Sequence, residues 1–339
     1  MSLNGISQDF NLTEQCNYLS TASIGLVPLP VIEKSKDLFV ELAKGGTLSL
    51  DEEKEVLVYE TLRISSSRLL NCDKDEIGVF NSVTEAINTI AWSLDFKKGK
   101  IVSTSIEFPS VTYPWIRLSR RKGIDFILIE PRNNCIPLDD LYEQIDEQTK
   151  VVSISHVEFL TGQKFDLEEL AKIVHDVGAV LVVDGIQAAG YTPLNVKKWN
   201  VDVYITGSYK WLCAPFGTSV AYITKDFYNL EPIFVGWRST EDIWNFDATK
   251  ITYANTARKF EYSTSAYGAK YGLSQSIEYL QKIGIKNIQR HNEKLVKILL
   301  EELSLISDLE IVSPPSRGSI VTFKLKKKEL KKYAINYGF

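Results

Sequence analysis

Seven short runs rich in β-branched residues recur along the first two thirds of the chain, and helical patterns separate most of them. The runs lie at 77–80, 101–105, 126–129, 151–155, 179–183, 203–206 and 219–223. Strands that alternate with helices predict a mainly parallel sheet covered on both faces. The last connection, 207–218, contains a Pro and a Gly but no helical period. We therefore expect an α/β fold whose seventh strand is antiparallel.

The remaining segments divide the chain into three predicted parts. Helices are predicted over 32–43 and 53–70, whereas 18–30 reads as an irregular segment. From about residue 265 the pattern changes to longer amphipathic elements, which predicts a smaller α+β domain. We expect an amino-terminal arm over 1–17, a large domain over 18–262 and a small domain over 263–339. The small domain is predicted to contain helices over 265–282 and 284–306, strands over 309–313 and 319–324, and a final charged helix.

Composition excludes several classes of function. The chain of 339 residues has a net charge of -4, which gives no electrostatic reason to bind nucleic acid or an anionic membrane. The basic run 324–332 reads as a solvated helix face. The four cysteines are far apart and there are three histidines, so neither a metal site nor a disulfide framework is predicted. No apolar stretch reaches membrane-spanning length and the start has no leader pattern, so we expect a cytoplasmic protein.

Polar residues follow the predicted strands, and their position indicates where a ligand binds. In an open parallel sheet, ligands lie in the crevice beyond the carboxyl ends of the strands. The chain lacks the GxGxxG, GK[ST], HExxH and GxSxG motifs, so dinucleotide, P-loop, zinc-protease and serine-hydrolase functions have no motif support. The residues after the runs are Asn81, Ser82, Thr84, Glu107, Phe108, His156, Asp184, Gln187, Ser208, Tyr209 and Lys210.

Asp184 and Lys210 follow neighbouring predicted strands and carry opposite charges. Asp184 comes after five apolar residues, where an ionised carboxylate is costly unless a cation or hydrogen-bond donors compensate it. Taken alone, Asp184 is equally well explained as a helix cap or a salt-bridge partner, and Lys210 is explained as a solvated lysine. Together they suit a cofactor that has a ring nitrogen and an aldehyde. The Asp would keep the ring nitrogen protonated, and the Lys amine would condense with the aldehyde. That cofactor is pyridoxal phosphate.

Two further features suit the same cofactor. The turn Ser82-Val83-Thr84 opens a predicted helix, and helix amino termini bind phosphate through free N–H groups and the helix dipole. Ser and Thr are also ordinary helix caps, so this feature is weak in isolation. Phe108 is placed to stack on the ring, although it could equally be a core residue.

These residues resemble the aminotransferase class V family of fold-type-I pyridoxal-phosphate enzymes. The family includes cysteine desulfurases, isopenicillin N epimerase-like proteins and kynureninases. The similar segments keep the family order over most of the chain, and as a set they are highly specific. They are NSVTEAIN (81–88), EFPSVTYPW (107–115), SHVEFLTGQ (155–163), VDGIQAAG (183–190), GSYKWLCAPFGT (207–218) and RKFEYST (258–264).

The resemblance implies a three-layer large domain with a mostly parallel seven-stranded sheet and assigns a role to each site residue. Lys210 would form the Schiff base, Asp184 would hold the pyridine nitrogen and Gln187 would bind the ring hydroxyl. Ser208 and Tyr209 would help the Ser82, Val83 and Thr84 turn to hold the phosphate, beneath a ring stacked on Phe108. The 260–264 segment, ending at Thr264, would reach the phosphate of a partner subunit, so a homodimer with shared active sites is expected.

Departures from the family pattern favour some members over others. Phe108 stands where many members, including the desulfurases, have a histidine, as in kynureninase-like and epimerase-like members. Tyr209 stands at a second position that is often histidine, as in the kynureninase-like variant. Desulfurases also need a late cysteine to accept sulfur, and no cysteine follows Cys213. Members usually continue for some residues past the end of this sequence, and that segment usually carries the arginine that binds the substrate carboxylate. The chain is then naturally short or truncated, and Arg238 and Arg258 are the remaining candidates for that contact, although surface or interface salt bridges suit them equally.

The expected activity is chemistry at Cα of an amino acid through the Lys210 Schiff base. The first expectation is an aminotransferase or an isopenicillin N epimerase-like enzyme. A cysteine desulfurase-type or kynureninase-type lyase is the alternative within the family. A homodimer that binds pyridoxal phosphate without catalysis is the alternative of another class, and an α/β protein with no cofactor is the third possibility.

Overall fold

The computed structural model describes residues 3–10 and 17–325, and its centre is a seven-stranded sheet. The strand order is β1-β7-β6-β5-β4-β2-β3. The strand β7 is antiparallel to both of its neighbours, and the other pairs are parallel, as the sequence predicts. The strands are β1 (Ile77–Phe80), β2 (Lys100–Thr104), β3 (Asp125–Ile129), β4 (Thr149–Ser155), β5 (Val180–Asp184), β6 (Val203–Gly207) and β7 (Ser219–Ile223).

Helices cover both faces of the sheet, because successive strand residues point to opposite faces and both faces are apolar. Val182 packs into one hydrophobic cluster, whereas its neighbours Leu181 and Val183 pack into the other. This arrangement confirms the predicted three-layer α/β class. The helices of this part are α1 (Leu29–Gly45), α2 (Glu52–Leu70), α3 (Val83–Ser93), α4 (Pro109–Lys122), α5 (Leu138–Glu143), α6 (Leu167–Asp176) and α7 (Val196–Trp199).

The last part of the described chain contains two long helices and a small sheet. The helices are α8 (Tyr267–Ile283) and α9 (Ile285–Ser304), and the antiparallel strands are β8 (Leu309–Ile311) and β9 (Phe323–Leu325). The helix α8 packs against α1 and α2. The predicted domain boundaries at 17/18 and 262/263 stay predictions. The predicted final charged helix and the basic run beyond residue 325 lie outside the described residues.

Candidate active site

The carboxyl ends of β4, β5 and β6 lie side by side, since these strands are parallel neighbours in the sheet. A cavity of about 760 Å³ opens close to the ends of β5 and β6. Polar groups that are distant in sequence are thereby brought to one place, as ligand binding at this edge requires. The predicted site residues on its wall are Ser82, Val83, Phe108, Gln187, Tyr209 and Lys210.

Lys210 lies in the turn between β6 and β7 and is buried. The turn is closed by hydrogen bonds from Cys213 N to the Lys210 carbonyl oxygen (3.0 Å) and from Ser208 N to that of Thr218 (3.2 Å). The residue is 9 % exposed, and Nζ has no hydrogen bond or salt bridge to any residue that the structure describes. Burial lowers the pKa of Lys210, while the charge of Asp184 opposes that change. A lowered pKa favours the neutral, nucleophilic form of the amine.

Asp184 is the last residue of β5 and is buried beside this lysine. Its Oδ1 accepts a hydrogen bond from Ile186 N at 2.8 Å, and its other oxygen has no donor among the described residues. Burial raises the pKa of Asp184 to about 6, and the Ile186 hydrogen bond and the Lys210 charge counteract the rise. A buried carboxylate with a free acceptor oxygen would be stabilised by a protonated ring nitrogen.

The amino terminus of α3 borders the cavity and is suited to an anion. Ser82 caps the helix, and its Oγ accepts a hydrogen bond from Glu85 N at 3.1 Å. The amides of Val83 and Thr84 are the first two of the helix and have no acceptor within it. The Thr84 hydroxyl is hydrogen-bonded to the Ser110 hydroxyl at 2.7 Å, away from the cavity wall. The backbone of this turn, more than the Thr84 side chain, is therefore the part that could hold a phosphate.

Aromatic rings form much of the cavity wall. Phe108 is 44 % exposed and precedes the first residue of α4. Its ring packs edge-to-face against Phe159, with centroids 5.3 Å apart, and lies 5.7 Å from Lys210 Nζ. On another part of the wall Tyr209 stacks on Phe216, with centroids 4.8 Å apart. A flat aromatic cofactor would thus find an apolar surface close to the lysine amine.

Gln187 and Ser208 are held by other protein groups in this structure. Gln187 Nε2 donates to the carbonyl oxygen of Ala22 (3.0 Å), and its Oε1 accepts from Trp211 Nε1 (2.7 Å). The Ser208 hydroxyl donates to the carbonyl oxygen of Pro215 at 2.6 Å, and Ser208 does not line the cavity. Gln187 thus remains at the site, whereas the Ser208 side chain serves the turn.

Three predicted residues lie away from the Lys210 cavity. Arg238 is 1 % exposed, with its guanidinium 3.7 Å from the centre of the Tyr59 ring. Arg258 donates to the carbonyl oxygens of Arg238 and Glu241. The two arginines therefore have structural surroundings on this chain instead of a place beside Lys210. Thr264 is exposed and borders a separate small cavity.

Sequence reasoning missed part of the wall. The irregular segment 19–24 contributes Leu19, Ser20, Ala22, Ser23 and Ile24 to the cavity, and Phe159 and Phe216 also line it. The segment has no helical or strand period, so its role could not be found from hydrophobic patterning. Among the described residues, no group of three or more His, Cys, Asp or Glu side chains is arranged to hold a metal ion. No helix of the described chain is long and apolar enough to cross a membrane.

The fold and this site define a pyridoxal-phosphate enzyme of fold type I, and comparison with known proteins agrees. The pattern of the family "Aminotransferase class-V" matches residues 17–335. The chain therefore belongs to aminotransferase class V, and pyridoxal 5'-phosphate is its cofactor. The unpartnered Lys210 amine, the free Asp184 oxygen and the amides of α3 fit the aldehyde, ring nitrogen and phosphate of that cofactor.

Two of the similar proteins are probable cysteine desulfurases. The chain is 32% identical to a probable cysteine desulfurase of Pyrococcus abyssi over 90% of this chain and 76% of that protein. It is 29% identical to a probable cysteine desulfurase of Methanothermobacter thermautotrophicus, over 93% and 79% of the two chains.

Solved structures show the same fold. The apo cysteine desulfurase of Thermococcus onnurineus NA1 superposes with a TM-score of 0.86 at 27% identity, over 99% of this chain and 85% of the other. A C-DES mutant with glycine covalently linked to its PLP cofactor has a TM-score of 0.89 at 22% identity, over 98% and 89%. At that identity the second likeness shows the fold alone.

Proposed function

We propose that this chain cleaves the Cβ–S bond of a sulfur-containing amino acid, as a lyase of the cysteine desulfurase type. The observation that carries the proposal is the buried Lys210 amine beside Asp184, without a hydrogen bond or salt bridge to a described residue, in a chain whose similar proteins include probable cysteine desulfurases. These relatives support the lyase alternative better than the aminotransferase or epimerase-like function that was the first expectation from the sequence.

Different residues of the chain would have different roles in such a reaction. Lys210 would hold the cofactor covalently, and its amine would then take the proton from Cα of the substrate. Asp184 would hold the positive charge of the ring nitrogen, and the amides at the start of α3 would hold the phosphate. Pyridoxal phosphate, when bound, supplies an electron sink for the negative charge that develops at Cα. The aromatic wall around Phe108 would exclude water from the reacting atoms.

None of the cysteines that the structure describes is placed to accept the sulfur at the cavity. Cys72, Cys135 and Cys213 do not line the cavity. Burial raises the pKa of the Cys213 thiol to about 12, and its Sγ lies against the carbonyl oxygen of Trp211. A thiol of this kind is a poor nucleophile at neutral pH. We infer that, once the Cβ–S bond breaks, the sulfur either passes to a thiol outside the cavity, which leaves alanine and a persulfide, or leaves as sulfide by β-elimination, which leaves pyruvate and ammonia after hydrolysis.

The assembly is inferred from the position of Thr264. Thr264 is exposed and does not line the Lys210 cavity of its own chain. An exposed phosphate ligand of this kind would serve a partner subunit, which supports the predicted homodimer with shared active sites.

The test is a product analysis with the pyridoxal-phosphate-loaded protein. L-cysteine and L-cystine are supplied with and without an added thiol, and sulfide, persulfide, alanine and pyruvate are measured. We expect a sulfur product that rises with added thiol, an unchanged rate in Cys213→Ser, and a loss of at least about 100-fold in Lys210→Ala, because the base is removed. Formation of a keto acid from another amino acid, with no sulfur product, would instead establish an aminotransferase.

A further inference from the structure

Two buried glutamates follow adjacent strands of the sheet, close to the cavity. Glu107 follows β2 and is 7% exposed, and Glu158 follows β4 and is fully buried. Glu107 accepts two hydrogen bonds from Ser155 at the end of β4, to Oε1 from N (2.7 Å) and to Oε2 from Oγ (2.5 Å). Glu158 Oε1 accepts from Thr104 Oγ1 at the end of β2 (3.1 Å). Each glutamate thus binds the strand that the other one follows.

The two carboxyl groups also contact each other, and no Lys or Arg in the described part of the chain forms a salt bridge with them. Their side chains are within hydrogen-bonding distance of one another. Neither forms a salt bridge with a Lys or Arg of the described residues, and the other ionisable group that acts on both is Asp184 on β5, itself an acid. Ionising both of two buried carboxyl groups in contact has a high free-energy cost, because like charges repel and neither is solvated. One of them must hold a proton.

The hydrogen bonds indicate which group holds it. Both oxygens of Glu107 already accept hydrogen bonds from Ser155, so Glu107 is satisfied as a carboxylate. Glu158 Oε2 is buried and has no hydrogen-bond partner assigned among the described residues, although the Glu158 carboxyl group as a whole interacts with that of Glu107. An unpaired buried oxygen is costly, and a proton on it would convert it into a donor toward Glu107.

We propose that Glu107 and Glu158 form a carboxyl pair that shares one proton, carried by Glu158, and that this pair positions the aromatic wall of the active-site cavity. Phe108 and Phe159 follow the two glutamates directly, line the cavity and pack edge-to-face. The hydrogen bond between the carboxyl groups therefore ties together the two backbone segments from which both rings project. Glu107 and Glu158 are positioning residues, since their carboxyl groups do not line the cavity.

The electrostatics of the site agree with this geometry. Burial, with a smaller contribution from the charge of Asp184, raises the pKa of Glu107 to about 7 and that of Glu158 well above its ordinary value. A carboxyl group that is protonated in the folded chain and ionised in the unfolded chain makes stability fall as pH rises. That fall begins near pH 4.5, the ordinary value, and continues past pH 7.

The proposal is tested by infrared difference spectroscopy of the wild type against Glu158→Gln at pH 7. The matched control is Glu130→Gln, because Glu130 follows β3, accepts from Ser105 Oγ at 2.7 Å and is exposed. We expect the carbonyl band of a neutral carboxyl group in the wild type and in Glu130→Gln, and its loss in Glu158→Gln. The glutamine amide can still donate to Glu107, so the variant should bind pyridoxal phosphate within about twofold of the wild type.

A second variant tests the positioning role. Glu158→Ala removes the hydrogen bond between the two carboxyl groups and should weaken pyridoxal phosphate binding about tenfold, whereas Glu158→Gln should restore the binding. Two results would overturn the proposal: a wild type with no neutral carboxyl band at pH 7, or a band that survives in Glu158→Gln. Equal cofactor binding by Glu158→Ala and Glu158→Gln would refute the positioning role. The wild-type spectrum decides the first point even if a variant fails to fold.

Discussion

At the scale of single residues, the site depends on Lys210 and Asp184, whose charged forms are both disfavoured by burial. Burial lowers the pKa of Lys210 and raises that of Asp184 to about 6. The charge of each residue partly opposes the effect of burial on the pKa of the other. The position of both residues at strand ends was predictable, since a polar residue after an apolar strand is placed for a ligand. Their protonation was not predictable, because it depends on burial by residues distant in sequence.

Replacing Asp184 with Asn tests its role in both the free and the loaded protein. Asn cannot hold the charge of the ring nitrogen, so we expect cofactor affinity to fall about 10- to 100-fold, measured by absorbance titration. In the cofactor-free wild type, Asp184 is protonated when folded and ionised when unfolded between its ordinary pKa of 3.8 and about 6. Stability therefore decreases as pH rises through that window, and Asp184→Asn should reduce this slope. Unchanged affinity would argue against the assigned role.

The surroundings of Arg238 and Arg258 could not be predicted from the sequence. Arg238 and Arg258 were candidates for the substrate carboxylate by residue type alone. Arg238 instead lies over Tyr59, and Arg258 binds backbone carbonyl oxygens. The chain from 224 to 266 contains only short 3-10 helices, so no periodicity indicated where its side chains point.

At the scale of elements, the strands and helices followed the hydrophobic pattern, but the irregular segment before α1 did not. That segment reaches the cavity because Gly25 N donates to the carbonyl oxygen of Tyr209 at 2.7 Å. The contact needs glycine, since a Cβ at Gly25 would lie 1.9 Å from the carbonyl oxygen of Lys210. A sequence without a period gives no sign of such a close approach between distant segments.

Gly25→Ala should therefore move the segment away from the Lys210 turn. Steric overlap with backbone cannot be relieved by a side-chain rotation, so we expect a loss of about 1–3 kcal/mol in the free energy of unfolding and weaker cofactor binding. Ser23→Ala is the control, because Ser23 is exposed in the same segment. Denaturant titration measures both variants. If Gly25→Ala were as stable as Ser23→Ala, the segment would not be packed as described.

At the scale of the whole molecule, the alternation of strands and helices carried the prediction of the fold. Residues such as Leu181 and Val182 point into separate clusters on the two faces, which a sheet covered by helices on both sides requires. The domain boundary at 262/263 and the homodimer stay predictions. An assembly depends on surfaces of a second chain, and hydrophobic periodicity within one chain does not encode where that chain binds.

The most direct test of the whole account is to locate the covalent cofactor. The protein is loaded with pyridoxal phosphate, reduced with borohydride and digested, and the modified lysine is identified by mass spectrometry. Lys270 is an internal control, because burial lowers its pKa to about 8 yet it does not line the cavity. We expect the reduced adduct on Lys210 and none on Lys270. An adduct on another lysine, or none at all, would contradict the assignment of Lys210 as the residue that binds the cofactor.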